Sequence, residues 1–534
     1  MKRYALLPLV LLPLLLSHPC SSSAPRHVLL IVVDDLGSAD LGLTGSQIST
    51  PNIDALAAAG VRLSSFYVQR ACSPTRAALM TGRYNIRYGF QSGVLTDANA
   101  YGLPLNETLL PDFVKRTTNA RAHMVGKHHL GYSSWAHTPT FRGFDSFLGY
   151  YSGDADYFTH VGDCGGYDMK IENTPRCGAG CSRSMLEANG TYSTHLFADR
   201  AVALVEGHDP ARDGTLFLYL PFQAIHVPVQ VPASYMKPYS FPPVMGTDAR
   251  NYVAGMLSAL DEGIGNVTRA LAAKGMLNET LIWLQTDNGA ATPACGGWSG
   301  AQNWPLRGGK CTLWEGGQRG TAIVSGAGIS AARRGAVEDS IMHAIDVLPT
   351  LVDALGGNAS ALAAPGFALD GVSQWAVLSA GAPAARDEIL LEADPYAFPH
   401  FGAPGEAGCT GDEHATPYYG IRSGSWKLML GDPGASFNAS DLGSGWWCTG
   451  PPCPASHNNS NSTGGPFPTH GVLLYDVVAD PSETTDVARE HPDVVARLTA
   501  RIVELNASAV PSAGVCGPGD PRRIVNGSCV PWLP

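Results

Sequence analysis

Apolar and polar positions along the chain fall into a few sharply bounded runs. After His27 the sequence reads V-L-L-I-V-V to Val33 and stops at Asp34-Asp35. That is the pattern of a parallel strand buried on both faces, with two carboxylates at its C-terminal end. Ligands of α/β sheets bind outside that end of the strands. Thr50-Pro51, followed by Ile53, Leu56, Ala57 and Gly60, predicts a helix capped by Thr50 and ended by glycine, the first β-to-α step. Thr215 to Leu220 is another apolar run, leading to His226. From Asn251 to Lys274 apolar residues recur at Val253, Met256, Leu257, Leu260, Ile264, Val267 and Leu271, a helical period that Gly275 ends. Leu281 to Leu284 repeats the first design, passing through Gln285-Thr286 to Asp287-Asn288-Gly289, and Ile341 to Leu355 reads as a further amphipathic helix.

After about residue 390 the elements shorten, with strands expected at Tyr418 to Arg422, Trp426 to Leu430 and Leu473 to Val478 and a late helix from Val494 to Leu505. Pro451 to Pro466, rich in Pro, Ser and Asn, reads as an exposed loop. The 534 residues exceed one small core, so a large α/β domain over 25–390 and a small α+β domain over 391–534, an antiparallel sheet of four-stranded type with a helix, are expected.

Composition narrows the setting. The formal charge is −11 and no Lys/Arg cluster occurs, which excludes a nucleic-acid partner. Met1-Lys2-Arg3, the apolar run Tyr4 to Leu16 and H-P-C-S-S-S-A have the layout of a signal peptide over 1–24. No later stretch approaches the roughly 18 to 20 apolar residues of a membrane span. The expected route is secretory, ending outside the cell or in a lysosome or vacuole. Asn106, Asn189, Asn266, Asn278, Asn358, Asn438, Asn458, Asn461, Asn506 and Asn526 each head an N-x-S/T triplet, the density of a glycoprotein.

Cysteine usage then isolates one residue. Of 12 cysteines, Cys20 falls in the leader and ten others could pair, which leaves Cys72 as the odd one. It stands in A-C-S-P-T-R-A-A-L-M-T-G-R, where Pro74 suits a first helical position and Gly82 a stop. A residue at a helix N-terminus faces unpaired N–H groups and suits an anionic ligand. Asp34-Asp35 and Asp287-Asn288 supply oxygen donors of the kind hard cations prefer.

Cys72-Ser73-Pro74-Thr75-Arg76 resembles the C-x-P-x-R signature of type I sulfatases. The resemblance continues through G-K-H-H-L-G at 126–131, Q-A-I-H-V-P at 223–228, T-D-N-G at 286–289 and L-R-G-G-K-C-T-L-W-E-G-G at 306–317. It implies an alkaline-phosphatase-like fold, a large mixed sheet sandwiched by helices with a smaller C-terminal α+β domain. It also implies that a formylglycine-generating enzyme oxidises Cys72 to formylglycine. Asp34, Asp35, Asp287 and Asn288 match the family's metal ligands, with the residue at 72 completing the shell around Ca²⁺, or less commonly Mg²⁺. The hydrated aldehyde attacks sulfur, and its second hydroxyl then expels sulfate, a route closed to serine. Arg76 reaches back one turn to hold the residue at 72. Lys127 and Lys310 match the sulfate-binding lysines, His129 the base for the diol proton, and His226, with Lys310, the acid at the leaving oxygen.

Within the family, Q-A-I-H-V-P-V-Q-V-P and N-W-P-L-R-G-G-K-C-T-L-W-E-G-G look most like the arylsulfatase B group, which acts on N-acetylgalactosamine 4-sulfate. The implied substrate is a sulfated carbohydrate or an aryl sulfate. Loops around 150–190 and 395–415 carry no readable sugar motif. A phosphoester hydrolase on the same scaffold is the first alternative, and a non-catalytic glycan-binding glycoprotein the second. Two further expectations follow. His128 departs from the family, whose close relatives carry Trp there. Cys311, next to Lys310, is expected to pair with Cys295, while Cys164, Cys177 and Cys181 remain as other partners.

Overall fold

The computed structural model describes residues 24–97, 99–242, 247–291, 295, 299–394, 418–431, 433–434, 471–512 and 521–533. Most of the leader, the loop around 395–415, the 451–466 stretch and the sequons at Asn438, Asn458 and Asn461 lie outside them. Eleven strands form one mixed sheet: β1 His27–Val33, β2 Gly60–Tyr67, β3 Arg121–Lys127, β4 Ser146–Tyr150, β5 Lys170–Glu172, β6 Arg183–Ser184, β7 Leu216–Pro221, β8 Thr280–Thr286, β9 Arg319–Gly326, β10 Ala336–Glu338 and β11 Met342–His343. Their order is β10-β2-β9-β8-β1-β7-β3-β4-β5-β6, with β11 beside β2. The five strands β8, β1, β7, β3 and β4 run parallel, and β9 and β5 pair antiparallel at either side of them.

The apolar runs explain the layering. In β1 all seven residues are buried, and pleating sends Val28, Leu30 and Val32 to one core and Leu29, Ile31 and Val33 to the other. β8 does the same with Leu281 and Trp283 against Ile282 and Leu284. The first core lies under α2 Cys72–Thr81 and the helices Leu110–Thr118 and Val347–Ala354. The second is covered by the helices Ser193–Gly207 and Ala249–Ala273. Gly126 (φ +128°) and Gly149 (φ +157°) face each other across β3 and β4. A Cβ at Gly149 would lie 1.9 Å from the Gly126 carbonyl oxygen, so the two strands can close up only as glycine beside the ends that carry Lys127 and Tyr150.

Two local expectations change. α1 Pro51–Ala59 forms, yet Thr50 does not cap it: its hydroxyl donates to Asp54 and accepts from the Gly42 N–H, spending itself on a neighbouring turn. The single helix expected over Ile341 to Leu355 is instead the short strand β11, a 3-10 turn Ala344–Asp346 and a helix Val347–Ala354. Pro349 fixes the start, because proline is tolerated only in a helix's first turn. The His343 side chain accepts from the Ile345 N–H and Asp346 accepts from the His343 N–H, which caps the turn before it.

A second, four-stranded antiparallel sheet follows, ordered β12 Glu388–Asp394, β13 Tyr418–Ser423, β14 Trp426–Gly431 and β15 Gly471–Asp476, with the helix Pro492–Asn506 on one face. It is bolted to the large sheet by buried charge. Lys427 lies 3.0 Å from Glu315 and 2.9 Å from Glu483, all three side chains fully buried, and Tyr67 donates to Glu315. Glu392, also buried, faces Arg70 at 3.7 Å. Residues 523–533 then form a strap. Cys529 is bonded to Cys164, Tyr167 and Gly527–Cys529 exchange backbone hydrogen bonds, Trp532 and Leu533 donate to the Ser133 carbonyl, and Arg523 pairs with Asp97.

Candidate active site

The C-terminal ends of β1, β3, β7 and β8 meet the N-terminus of α2, and nearly every residue singled out in the sequence arrives there. Asp34 and Asp35 leave β1, with Asp35 in the left-handed region (φ 59°) so that both carboxylates turn inward. Asp287 and Asn288 leave the adjacent β8. The Asp35 N–H donates to Asp287 Oδ1 at 3.3 Å and Asn288 Nδ2 to Asp35 Oδ1 at 2.6 Å, so the two strand exits interlock. Cys72 opens α2 two residues earlier than Pro74 would have placed the start, and it is 1% exposed and unpaired. Its thiol sits 3.6 Å from Asp34 Oδ1, and burial pushes it up to about 12 despite Lys127 and Lys310.

Cations close the cluster. Lys127, at the end of β3, places Nζ 2.5 Å from Asp34 Oδ2, and Lys310 places Nζ 2.8 Å from Asp35 Oδ1. Arg76 is fully buried and donates to Asp287 at 2.7 Å, to Asp34 at 3.3 Å and to the Lys127 carbonyl at 3.1 Å. It therefore grips the carboxylates that stand beside residue 72. Burial by itself would raise the Asp34 carboxyl, yet Lys127, His226, Arg76 and Lys310 hold it far below its usual range. Asp287 moves the other way, to about 6, through burial and the nearby Asp34 charge.

The two histidines have assigned tautomers. His129 Nε2 lies 2.8 Å from the Leu95 carbonyl, which can only accept, so Nε2 bears the proton and Nδ1 keeps its lone pair. That Nδ1 is buried and has no partner among the described residues, and burial with Lys127 and Arg76 holds the ring neutral. Leu95 is itself fixed through its N–H to Ser73 Oγ, next to Cys72. His226 donates from Nδ1 to the Val227 carbonyl at 2.7 Å and turns Nε2 to Asp35 at 3.8 Å. His128 is buried behind this site, its Nδ1 also without a partner among the described residues. Lys310 is carried on a loop pinned by the Cys295–Cys311 disulfide and by the Arg70–Cys311 backbone and side-chain bonds. Cys164 and Cys177 pair elsewhere, with Cys529 and Cys181.

One donor atom each from Asp34, Asp35, Cys72 and His226 lies within 4.8 Å of the others. Asp287 stands one hydrogen bond from Asp35, and the Asn288 Oδ1 is buried with no partner among the described residues. An amide oxygen left bare among carboxylates is the donor set of a hard cation, and these residues fit Ca²⁺ or Mg²⁺. No motif in the sequence marks Tyr150, which stands in register with Lys127 across β3 and β4. It belongs to an apolar strand pattern that carries no chemical signature.

Comparison with known proteins agrees with this geometry. A family model described as Sulfatase matches residues 26–357. The chain is 36% identical over 527 residues to "Arylsulfatase J" of Mus musculus, covering 96% of this chain and 81% of that one. It is 29% identical over 520 residues to "Arylsulfatase A" of Homo sapiens, covering 93% and 91%. The crystal structure titled "Ps i-CgsB in complex with k-i-k-neocarrahexaose" shares the fold, with a TM-score of 0.70 at 24% identity over 92% of this chain and 95% of that chain.

Proposed function

The chain belongs to the sulfatase family, and we propose that it hydrolyses the sulfate esters of a sulfated sugar or aryl sulfate at the cluster around Cys72. The observation that carries this reading is the unpaired, buried Cys72 at the head of α2, facing Asp34 between two lysines.

We take Cys72 to be converted to formylglycine, whose hydrate supplies a nucleophilic oxygen for sulfur and a second hydroxyl for expelling sulfate. A divalent cation, Ca²⁺ before Mg²⁺, would be held by Asp34, Asp35, Asp287 and Asn288 and would polarise oxygens at residue 72 and at the ester. The rest falls to the chain's own side chains. Arg76 holds the Asp34 and Asp287 carboxylates in place. Lys127 and Lys310, fixed at opposite sides of the aspartate pair, offset the charge of the sulfate oxygens as the S–O bond breaks. His129, with its proton committed to Leu95, offers Nδ1 to take the diol proton. At the leaving oxygen Lys310 supplies the proton, with His226, oriented by its Nδ1–H bond to the Val227 carbonyl, as the second acid once its Nε2 is protonated.

The Q-A-I-H-V-P and L-R-G-G-K segments make the 4-sulfate of N-acetylgalactosamine the first sugar to test. No described helix is long and apolar enough to cross a membrane, which accords with a route through the secretory pathway. Peptide mass analysis of residue 72 and turnover of matched sulfate and phosphate esters test the proposal together. The aldehyde mass and a preference for sulfate are expected. Unmodified Cys72 in active protein would overturn the mechanism, and a preference for phosphate would overturn the reaction. Cys72→Ser should stall as its sulfated ester after one turnover.

A further inference from the structure

Tyr150 ends β4 in register with Lys127 on the neighbouring parallel strand, so the two side chains leave the same face of the sheet side by side. Its ring stacks on Phe197, and the residue is 0% exposed. Its hydroxyl has no hydrogen-bond partner among the described residues. The other three tyrosines between 150 and 167 are satisfied: Tyr151 donates to Glu172, Tyr157 to the carbonyls of Gln223 and His226, and Tyr167 to the Met185 carbonyl. The ionisable groups near the Tyr150 hydroxyl include Asp34, Arg76, Asp154 and Cys72, three of them members of the cluster.

A buried hydroxyl left without a partner lowers the stability of the fold, and phenylalanine would fill the same space without that cost. A donor maintained in such a place, on the strand next to the one that carries Lys127, is matched by an anionic oxygen brought from outside. Resting on the sulfatase reading above, we propose that Tyr150 is a further sulfate-binding residue, its O–H donating to an oxygen of the ester's sulfate group beside Lys127. It would read the tetrahedral anion rather than the sugar, so its contribution should be the same for every ester the enzyme accepts.

The test compares wild type with Tyr150→Phe, using sulfate esters as substrates and inorganic sulfate as the competing anion. The inhibition constant for inorganic sulfate is expected to rise about tenfold, with kcat/KM falling by at least as much, because a hydrogen bond to a charged group is lost. The thermal midpoint is expected to stay level or rise. An unchanged inhibition constant overturns the assignment while leaving the sulfatase reading intact. A fall in thermal midpoint of several degrees together with weaker sulfate binding also overturns it, since the hydroxyl would then have a partner within the fold. Wild-type protein that turns over no sulfate ester overturns the reading on which the assignment rests.

Discussion

Glu392→Gln is expected to remove a pH-dependent loss of stability. Glu392 lies in β12, 2% exposed, facing Arg70 at 3.7 Å, with one carboxylate oxygen lacking a hydrogen-bond partner among the described residues. Burial raises its carboxyl from an ordinary 4.5 to about 8, Arg70 opposing the shift and Asp394 adding to it. Between those two values the folded chain holds a proton that the unfolded chain has released. Stability is therefore greatest below pH 4.5 and falls as pH rises toward 8. At 1.36 kcal/mol per unit the whole loss is about 5 kcal/mol, of which about 3 kcal/mol falls between pH 5 and pH 7.5. With roughly 2 cal/mol/K per residue, a chain of this length unfolds with an entropy near 1 kcal/mol/K, so that loss amounts to about 3 °C. His27 and His123, held near 4 by burial, and His343, near 3, act in the opposite sense, lost as pH falls below 6.5, and they cancel when the two proteins are compared. Thermal midpoints at constant ionic strength should thus converge at pH 5 and separate by about 3 °C at pH 7.5, the glutamine variant higher. Parallel curves would refute the reasoning.

Lys427→Met leaves Glu315 and Glu483 buried without their shared cation and should cost about 3–5 kcal/mol; adding Glu483→Gln should restore much of the lost denaturation midpoint. Cys295→Ala/Cys311→Ala opens a loop of sequence separation 16, for which roughly 3 kcal/mol is expected. Its larger effect, up to about a hundredfold in kcat, should come from a displaced Lys310. Elemental analysis should find one divalent ion per chain that Asn288→Ala binds weakly or not at all, and chelation should lower turnover more than thermal midpoint.

The strands were legible because an uninterrupted apolar run has few places to go. His27–Val33 and Thr280–Thr286 had to lie between two cores, and their polar exits mark the site. The positions of Cys72, Lys127, His129, His226 and Lys310 could be read only through ordered motifs, since each alone is an ordinary surface or core residue. What the sequence hid is contact at long range. Arg76 is expected to reach one turn back along its helix, and its hydrogen-bond partners in the fold lie 42, 51 and 211 residues away. His343 and Asp346 sit inside a helical period but cap a turn instead, a choice made by side-chain hydrogen bonds that periodicity does not record. Tyr150 was invisible because its significance rests on a bond it does not make.

The strap over residues 523–533 sets an order in time. Lys310, the last of the clustered residues to be made, precedes Gly527 by more than 200 positions. At 5–20 residues per second the ribosome takes roughly 10 to 40 s over that stretch. Throughout it the clustered residues all exist, but the loops holding Ser133, Cys164 and Tyr167 lack the bonds that the strap gives them. Synthesis thus gives the polypeptide an interval in which every residue of the cluster is present and the strap is not.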